Sequence, residues 1–148
     1  MGVRVSGNEQ VVRSLDPARL MQRVETVMND VLGEGAERMQ GYIETRGTGK
    51  RWTHPWGPNG RTGSSPGRVD TGQMIREVQG EVIASDNNGV TGVLGWPEGS
   101  PEYFRHQEHG FNHVLTGEDV EEMRALRDAA DATTPELMDE LTKIARQL

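Results

Sequence analysis

The sequence has no cysteine and few aromatic side chains. Without a thiol, the chain forms neither a disulfide framework nor a thiolate metal site. Hydrophobic residues make up 33% of the 148 residues and aromatic residues 5%. We therefore expect one domain, residues 1–148, with a thin core that relies on contacts with partner subunits.

Long apolar runs are also missing. No stretch approaches the roughly 20 residues that a membrane span needs. The first 14 residues contain no apolar core of signal-peptide length. The sequence therefore predicts a soluble chain without a membrane partner, cytoplasmic at synthesis.

Charge is unevenly distributed along the chain. The net charge of -7 argues against a general DNA-binding protein, because affinity for phosphate needs Lys and Arg. Residues 46–76 nevertheless carry six basic residues and one acid, whereas residues 98–148 carry five basic residues and twelve acids. This polarity suits subunits that stack through complementary surfaces, and it equally suits a solvated acidic face beside a basic loop.

A long amphipathic helix is predicted near the N-terminus. Asp16 can cap it, and Pro17 suits its first position because the missing N–H is not needed there. Apolar residues then recur every three or four positions as far as Ile43, which predicts seven to eight turns. Three glycines, Gly33, Gly35 and Gly41, interrupt the helix and indicate a bend or the close approach of a neighbouring element.

Residues 46–69, the basic loop, differ in kind from the preceding helix. They are rich in glycine and proline and contain five basic residues and no acid. A regular helix or strand is not expected there, and long loops of this kind are usually functional or disordered. Its basic and tryptophan side chains are candidate contacts with a partner: Arg46, Lys50, Arg51, Trp52, Trp56, Arg61 and Arg68.

The second half of the chain predicts a hairpin followed by helices. A short helix begins near Asp70 and Thr71, and two strands are joined by a turn at residues 86–89. In the first strand, Val78, Gly80, Val82 and Ala84 are expected on one face. Two C-terminal helices follow, from about residue 118 to 130 with Thr116 as cap, and from Thr134 and Pro135 onwards. The fold class is therefore α+β: a long N-terminal amphipathic helix, a small antiparallel sheet with a long basic loop, and two C-terminal helices.

Three histidines cluster in the segment PEYFRHQEHGFNH, residues 101–113. His106, His109 and His113 would lie near one face of a helix, which is a ligand-like spacing. However, Gly110 interrupts that helix, and the order His-Gln-Glu-His matches no metalloenzyme pattern. We predict a polar turn, with no catalytic residue, metal or cofactor. Two alternatives remain: a small metal-dependent hydrolase or nuclease that uses this cluster with Glu108, and a nucleic-acid-binding module that uses the basic loop.

The order of these parts resembles the head–tail joining proteins of long-tailed bacteriophages, the neck or tail-completion family. Members commonly carry a Thr-Gly-x-Leu-x-x-Ser step before the sheet. Thr71, Gly72 and Met74 match that step here, and Glu77 stands where a small polar residue is usual.

A second step, Pro-Tyr-Ala-x-x-x-Glu-x-Gly, precedes the last helices of that family. Tyr103, Glu108 and Gly110 match it, with Phe104 in place of the Ala and one extra residue before the Glu. The resemblance covers about residues 15–148. It implies a non-enzymatic subunit that forms a homo-oligomeric ring in the virion neck, at the head–tail junction, around the DNA channel. The implied partners are other copies, other neck and tail proteins, and genome DNA in the channel. Residues 46–69 are expected to reach an adjacent subunit, an adjacent ring or the DNA channel.

The motif residues have expected structural roles. Asp70 or Thr71 would cap the short helix, and Gly72 would leave room for close approach. Tyr103 would pack its ring and use its hydroxyl at the sheet edge. Glu108 would accept backbone N–H bonds across a turn that Gly110 permits by taking a positive φ. The motifs leave open which neck position the chain occupies: stopper, tail-completion protein or tail terminator.

Overall fold

The structure is a computed structural model that describes residues 16–46, 72–112, 117 and 119–148, together with the backbone of residues 52–53 and 62–63. Its first helix, α1, spans Pro17–Thr45, and the Asp16 carboxylate accepts a hydrogen bond from the Ala18 N–H at 3.1 Å. The predicted long helix, its N-cap and its length are confirmed. No helix in the described ranges is long and apolar enough to cross a membrane.

The remaining elements are short until the last helix. Their bounds are β1 Trp52–Thr53, β2 Thr62–Gly63, α2 Gln73–Arg76, β3 Gln79–Asp86, β4 Gly89–Gly95, α3 Glu102–His109, β5 Phe111–Asn112, β6 Asp119–Val120 and α4 Ala125–Arg146. The strands form three antiparallel pairs, β1 with β2, β3 with β4 and β5 with β6. The structure confirms the predicted α+β class, with a long first helix, a small antiparallel sheet and C-terminal helices.

The β3–β4 hairpin lies directly on α1 because two glycines remove the side chains between them. A Cβ at Gly80 would stand 2.0 Å from the Leu32 carbonyl oxygen, and one at Gly92 would stand 2.3 Å from a Leu32 methyl carbon. The Val82 N–H donates to the Asn29 side-chain oxygen of α1 at 2.8 Å. Helix α1 therefore supports the hairpin over several turns.

A β-bulge changes one prediction about the hairpin. Val82 pairs with Gly92, but Ala84 pairs with Thr91, so Ile83 is the extra residue of β3. Side chains alternate across a strand, and the inserted residue turns Ala84 to the face opposite Val82. The expectation that Ala84 shares a face with Gly80 and Val82 is wrong, and Ile83 is 59% exposed.

The core lies where α1, α2, α3 and the start of α4 meet. Its fully buried members are Met39, Ile43, Met74, Phe104, Met123, Ala125 and Ala129. Three of these are methionines and two are alanines, so one aromatic ring, Phe104, supplies much of the buried volume. Trp96 packs at the edge of this cluster, and its indole N–H donates to the Met74 carbonyl at 2.8 Å.

The C-terminal region differs from the prediction of two helices divided near residue 132. Helix α4 is continuous through Pro135. A proline normally breaks a helix interior, but the residue two positions earlier, Thr133, is only 2% exposed and accepts a hydrogen bond from Arg38 of α1 at 3.0 Å. Packing against α1 holds the turn before the proline in helical register.

The start of the C-terminal region also differs from the prediction. Residues 119–120 form β6 instead of the first turn of a helix, and the predicted cap Thr116 lies outside the described residues. In the basic loop, β1 and β2 form a two-residue ladder where no regular element was expected. Trp and Thr favour strands, which accounts for pairing at residues 52–53 and 62.

Candidate functional site

The second motif step forms helix α3 and anchors it in the core. Phe104 is 1% exposed, and its ring lies 5.4 Å from the Trp96 ring. Tyr103 packs edge-on against Phe104, with ring centroids 4.7 Å apart, and remains 45% exposed. Phe104 is therefore the central aromatic residue of the core.

Glu108 caps the last helix from outside it. Its Oε2 accepts the Leu126 N–H at 3.1 Å and its Oε1 accepts the Arg127 N–H at 3.0 Å. These are the second and third N–H groups of α4, which an N-cap side chain normally satisfies. The carboxylate is 6% exposed overall, and its negative charge faces the positive end of the helix dipole. The expected turn contact is thus a tertiary cap that spans 18 residues.

Gly110 allows the chain to pass close to the segment before α4. Its φ is 78° and its ψ 158°, a region that only glycine adopts readily. A Cβ there would stand 2.8 Å from the Val120 carbonyl oxygen and 3.0 Å from the Glu122 nitrogen. Two further backbone bonds close the junction, from Met123 N–H to the Gln107 carbonyl at 3.0 Å and from Arg124 N–H to the Glu108 carbonyl at 3.3 Å.

Arg46 belongs to this junction although the sequence assigns it to the basic loop. Its Nη1 donates to the Met123 carbonyl at 3.0 Å, to the Arg124 carbonyl at 3.2 Å and to Asp128 Oδ2 at 2.7 Å. Its guanidinium also lies 3.8 Å from the centre of the Tyr42 ring. The prediction that Arg46 reaches a neighbouring subunit or DNA does not fit these contacts, because the end of α1 places it beside the start of α4.

Arg124 carries the most unusual backbone of the junction. Among the residues that the structure describes, it is the one non-glycine residue with a positive φ, 57°. Its guanidinium lies 3.5 Å from Glu122 and 3.5 Å from Asp128, while its Nε is buried without a hydrogen-bond partner. The sequence did not indicate that Arg124 and Asp128 belong to this junction. Charged residues at helical spacing are typical of a solvated helix face.

The histidines do not converge on a metal site within the described residues. No group of three His, Asp or Glu side chains there has a metal-binding arrangement. His106 lies over Phe111, with ring centroids 5.9 Å apart. Glu108, the carboxylate of the proposed cluster, has both oxygens bound to the N–H groups of α4. His113 lies outside the described residues.

The first motif step positions α2 through backbone conformation. Gly72 is the N-cap of α2 with φ 77°. The predicted caps, Asp70 and Thr71, lie outside the described residues. A Cβ at Gly72 would approach only the tip of Arg76 at 3.0 Å, so Gly72 is required by its positive φ and not by close packing. Glu77 accepts from Gln73 at 2.7 Å and from Ser100 at 3.2 Å, which ties α2 to the segment before α3.

Most of the predicted partner-contact residues fall outside the described structure. These are the following members of the basic loop: Lys50, Arg51, Trp56, Arg61 and Arg68. The structure describes Trp52 through its backbone in β1. Their contacts with a neighbouring subunit or with DNA stay a prediction.

Comparisons of this chain with protein-family models, with curated proteins and with solved structures find no match. Function is therefore inferred from the chain's own residues and their geometry. The junction of α3 with α4 is the best-defined polar site in the described ranges, and its contacts are structural ones.

Proposed function

We propose that this chain is a structural, non-enzymatic subunit of the neck of a long-tailed phage, where copies form a ring around the DNA channel. The observation that carries the proposal is that both motif steps contribute a buried side chain to the same core. Met74, from the first step, is 4% exposed, and Phe104, from the second, is 1% exposed; both belong to the same buried cluster. Side chains that hold a scaffold together are what a ring subunit needs at these motifs.

The surface of α4 supports contacts between copies. Its exposed residues include the acids Asp131 and Asp139, together with Met138, which is 58% exposed. The basic loop has the opposite charge. Complementary charges on two parts of one chain favour head-to-tail association, which closes into a ring when the rotation between neighbours allows it.

The lean core fits an oligomeric protein. Ten hydrophobic residues are buried in the described chain, and Ile83, Tyr103, Met138 and Leu148 are large apolar residues left exposed. A chain that buries little apolar surface alone gains stability from association, because binding to the folded form stabilises it.

The carboxylate in the histidine segment does not support the hydrolase alternative. A general base or metal ligand needs a free oxygen directed at substrate or metal. Both oxygens of Glu108 instead accept backbone N–H groups at 3.0 and 3.1 Å. We therefore propose no second function.

Deletion of the gene from a phage that encodes this chain tests the proposal. We expect lysates that contain heads and tails but few joined, infectious particles, seen by negative-stain electron microscopy and plating. A plasmid copy should restore joining. Normal yields of joined particles in its absence would exclude a neck role.

A matched pair of variants separates the basic loop from general surface charge. The triple variant Arg51→Ala, Arg61→Ala, Arg68→Ala is expected to restore joining poorly. The control removes three exposed arginines outside the loop, Arg105→Ala, Arg127→Ala and Arg146→Ala, and should restore joining nearly fully. Equal rescue by both would remove the loop from the proposed contact.

A further inference from the structure

Residues 119–124, here named the switch segment, lie in a conformation that their sequence does not favour. The segment is Asp-Val-Glu-Glu-Met-Arg, with acids where a helix N-terminus favours them, and Val120, Met123 and Leu126 recur at helical spacing. In the structure, residues 119–120 are a strand and residues 121–124 are irregular. We propose that the switch segment has a second, helical conformation in which α4 begins about six residues earlier.

The backbone of Arg124 differs between the two conformations, left-handed in the structure and right-handed in the proposed longer helix. Its φ of 57° makes it the N-cap of α4 and turns the preceding chain away from the helix axis. Left-handed backbone is unfavourable for a residue with a Cβ unless its surroundings impose it. The buried Nε of Arg124 also lacks a hydrogen-bond partner. A right-handed helical Arg124 would relieve the backbone strain and continue α4 toward its N-terminus.

Glu108 occupies the N–H groups that an extended helix would use. In a longer α4, the Leu126 N–H would bind the Glu122 carbonyl and the Arg127 N–H would bind the Met123 carbonyl. Both N–H groups are bound instead by the Glu108 carboxylate, at 3.1 and 3.0 Å. The carboxylate and the helix ladder therefore compete for the same two donors.

Arg46 binds one of the two carbonyl acceptors that the longer helix would use. Its Nη1 donates to the Met123 carbonyl at 3.0 Å, the acceptor that Arg127 would need, and to the Arg124 carbonyl at 3.2 Å. Asp128 Oδ2, 2.7 Å from Arg46, keeps the guanidinium in place. Glu108 and Arg46 together act as a latch: Glu108 binds both donors, and Arg46 binds one of the two acceptors, the Met123 carbonyl.

Opening the latch would release the strand pair beside it. Helix formation at 119–124 removes the pairing of Phe111 with Val120 and of Asn112 with Asp119. It also separates the Asn112 side chain from Asp119, now 2.9 Å apart. Met123, 2% exposed, would have to leave its place in the core, which keeps the present conformation dominant while the latch is closed. The device thus couples the end of α1, through Arg46, to the chain between α3 and α4.

Chemical-exchange saturation transfer NMR on the full chain detects such a minor state. We expect a second set of helical Cα shifts at residues 119–124. Arg124→Gly favours the left-handed cap and disfavours the helix, and should lower the helical population about tenfold or more. The control Arg124→Ala removes the same side chain but keeps the backbone preference of a residue with a Cβ, so it should not show the fall in helical population that Arg124→Gly shows.

A latch variant tests the competition directly. Glu108→Ala frees both N–H groups and should raise the helical population at residues 119–124 at least about tenfold. If that variant does not fold, Glu108→Gln, which keeps one acceptor oxygen, is measured in its place with a smaller rise expected. Residues 119–124 that stay non-helical in the folded latch variant overturn the proposal. So does a helical population that Arg124→Gly leaves unchanged or increases.

Discussion

At the scale of single residues, Glu108 supplies from another helix what an N-cap side chain supplies in most helices. Position 124, the N-cap of α4, is an arginine that makes no capping bond. The two N–H groups are partly buried, so leaving them without an acceptor would cost about 1–3 kcal/mol. A single carboxylate thus joins α3 to α4, and Gly110 lets the chain turn immediately after it.

Replacing Gly110 by alanine tests how much the close contact between Gly110 and β6 contributes to stability. Gly110→Ala places a Cβ 2.8 Å from the Val120 carbonyl oxygen in a backbone region that alanine avoids. We expect a loss of about 2–4 kcal/mol in the free energy of unfolding, measured by urea denaturation. Gly99→Ala is the matched control, since Gly99 also has a positive φ, 86°, but nothing lies within 4 Å of its Cβ position. It should lose about 1 kcal/mol. Equal losses would mean that the close contact with β6 is unimportant.

The kind of contact that a single residue makes could be predicted from the sequence, but the residue that it contacts could not. Glu108 was expected to accept backbone N–H groups, and it does, but the donors lie 18 residues away instead of in the local turn. Arg46 was expected to point to a neighbour because it opens a basic segment. The end of α1 determines its direction, and that depends on tertiary packing which a linear pattern does not contain.

At the scale of elements, α1 is the platform on which the other parts lie. The hairpin packs on it through Gly80 and Gly92, and α4 packs on it where Gly35 meets Thr133. The glycines of α1 therefore differ in role although they look alike in sequence. Gly35 permits the close approach that was predicted, whereas Gly33 and Gly41 have nothing within 4 Å of a Cβ position.

Two glycines of α1, only two positions apart, are expected to respond in opposite ways to alanine. Gly33→Ala should stabilise the protein by about 0.5–1 kcal/mol, because alanine is the better helix former and the space is open. Gly35→Ala should destabilise it by about 1–3 kcal/mol, because its Cβ would stand 2.7 Å from Thr133 Oγ1. Thermal or urea unfolding measures both. The packing of α4 on α1 would be wrong if Gly35→Ala were as stabilising as Gly33→Ala.

Elements defined by local signals were predictable, and elements defined by distant contacts were not. Asp16, Pro17 and the apolar repeat locate α1, and the Asp-Asn-Asn-Gly turn locates the hairpin. The break predicted before Pro135 is absent because Thr133 is buried against α1. The helix predicted from residue 118 starts at Ala125 because Glu108, Gly110 and Arg46 hold the preceding residues in another conformation.

At the scale of the whole molecule, the chain combines a small core with two oppositely charged regions. The core rests on three methionines, two alanines, one isoleucine and one phenylalanine. The α4 surface is acidic and the basic loop carries five cations. A molecule of this kind is expected to gain much of its stability and its geometry from neighbouring copies, as a ring subunit would.

A cryo-electron microscopy reconstruction of the assembled phage particle, with the neck at side-chain resolution, would decide whether this chain is a neck subunit. We predict a ring at the head–tail junction whose subunits fit α1, the β3–β4 hairpin and α4 of this chain, with residues 47–69 against a neighbouring chain or the DNA. A neck in which every ring is built from other chains would contradict it.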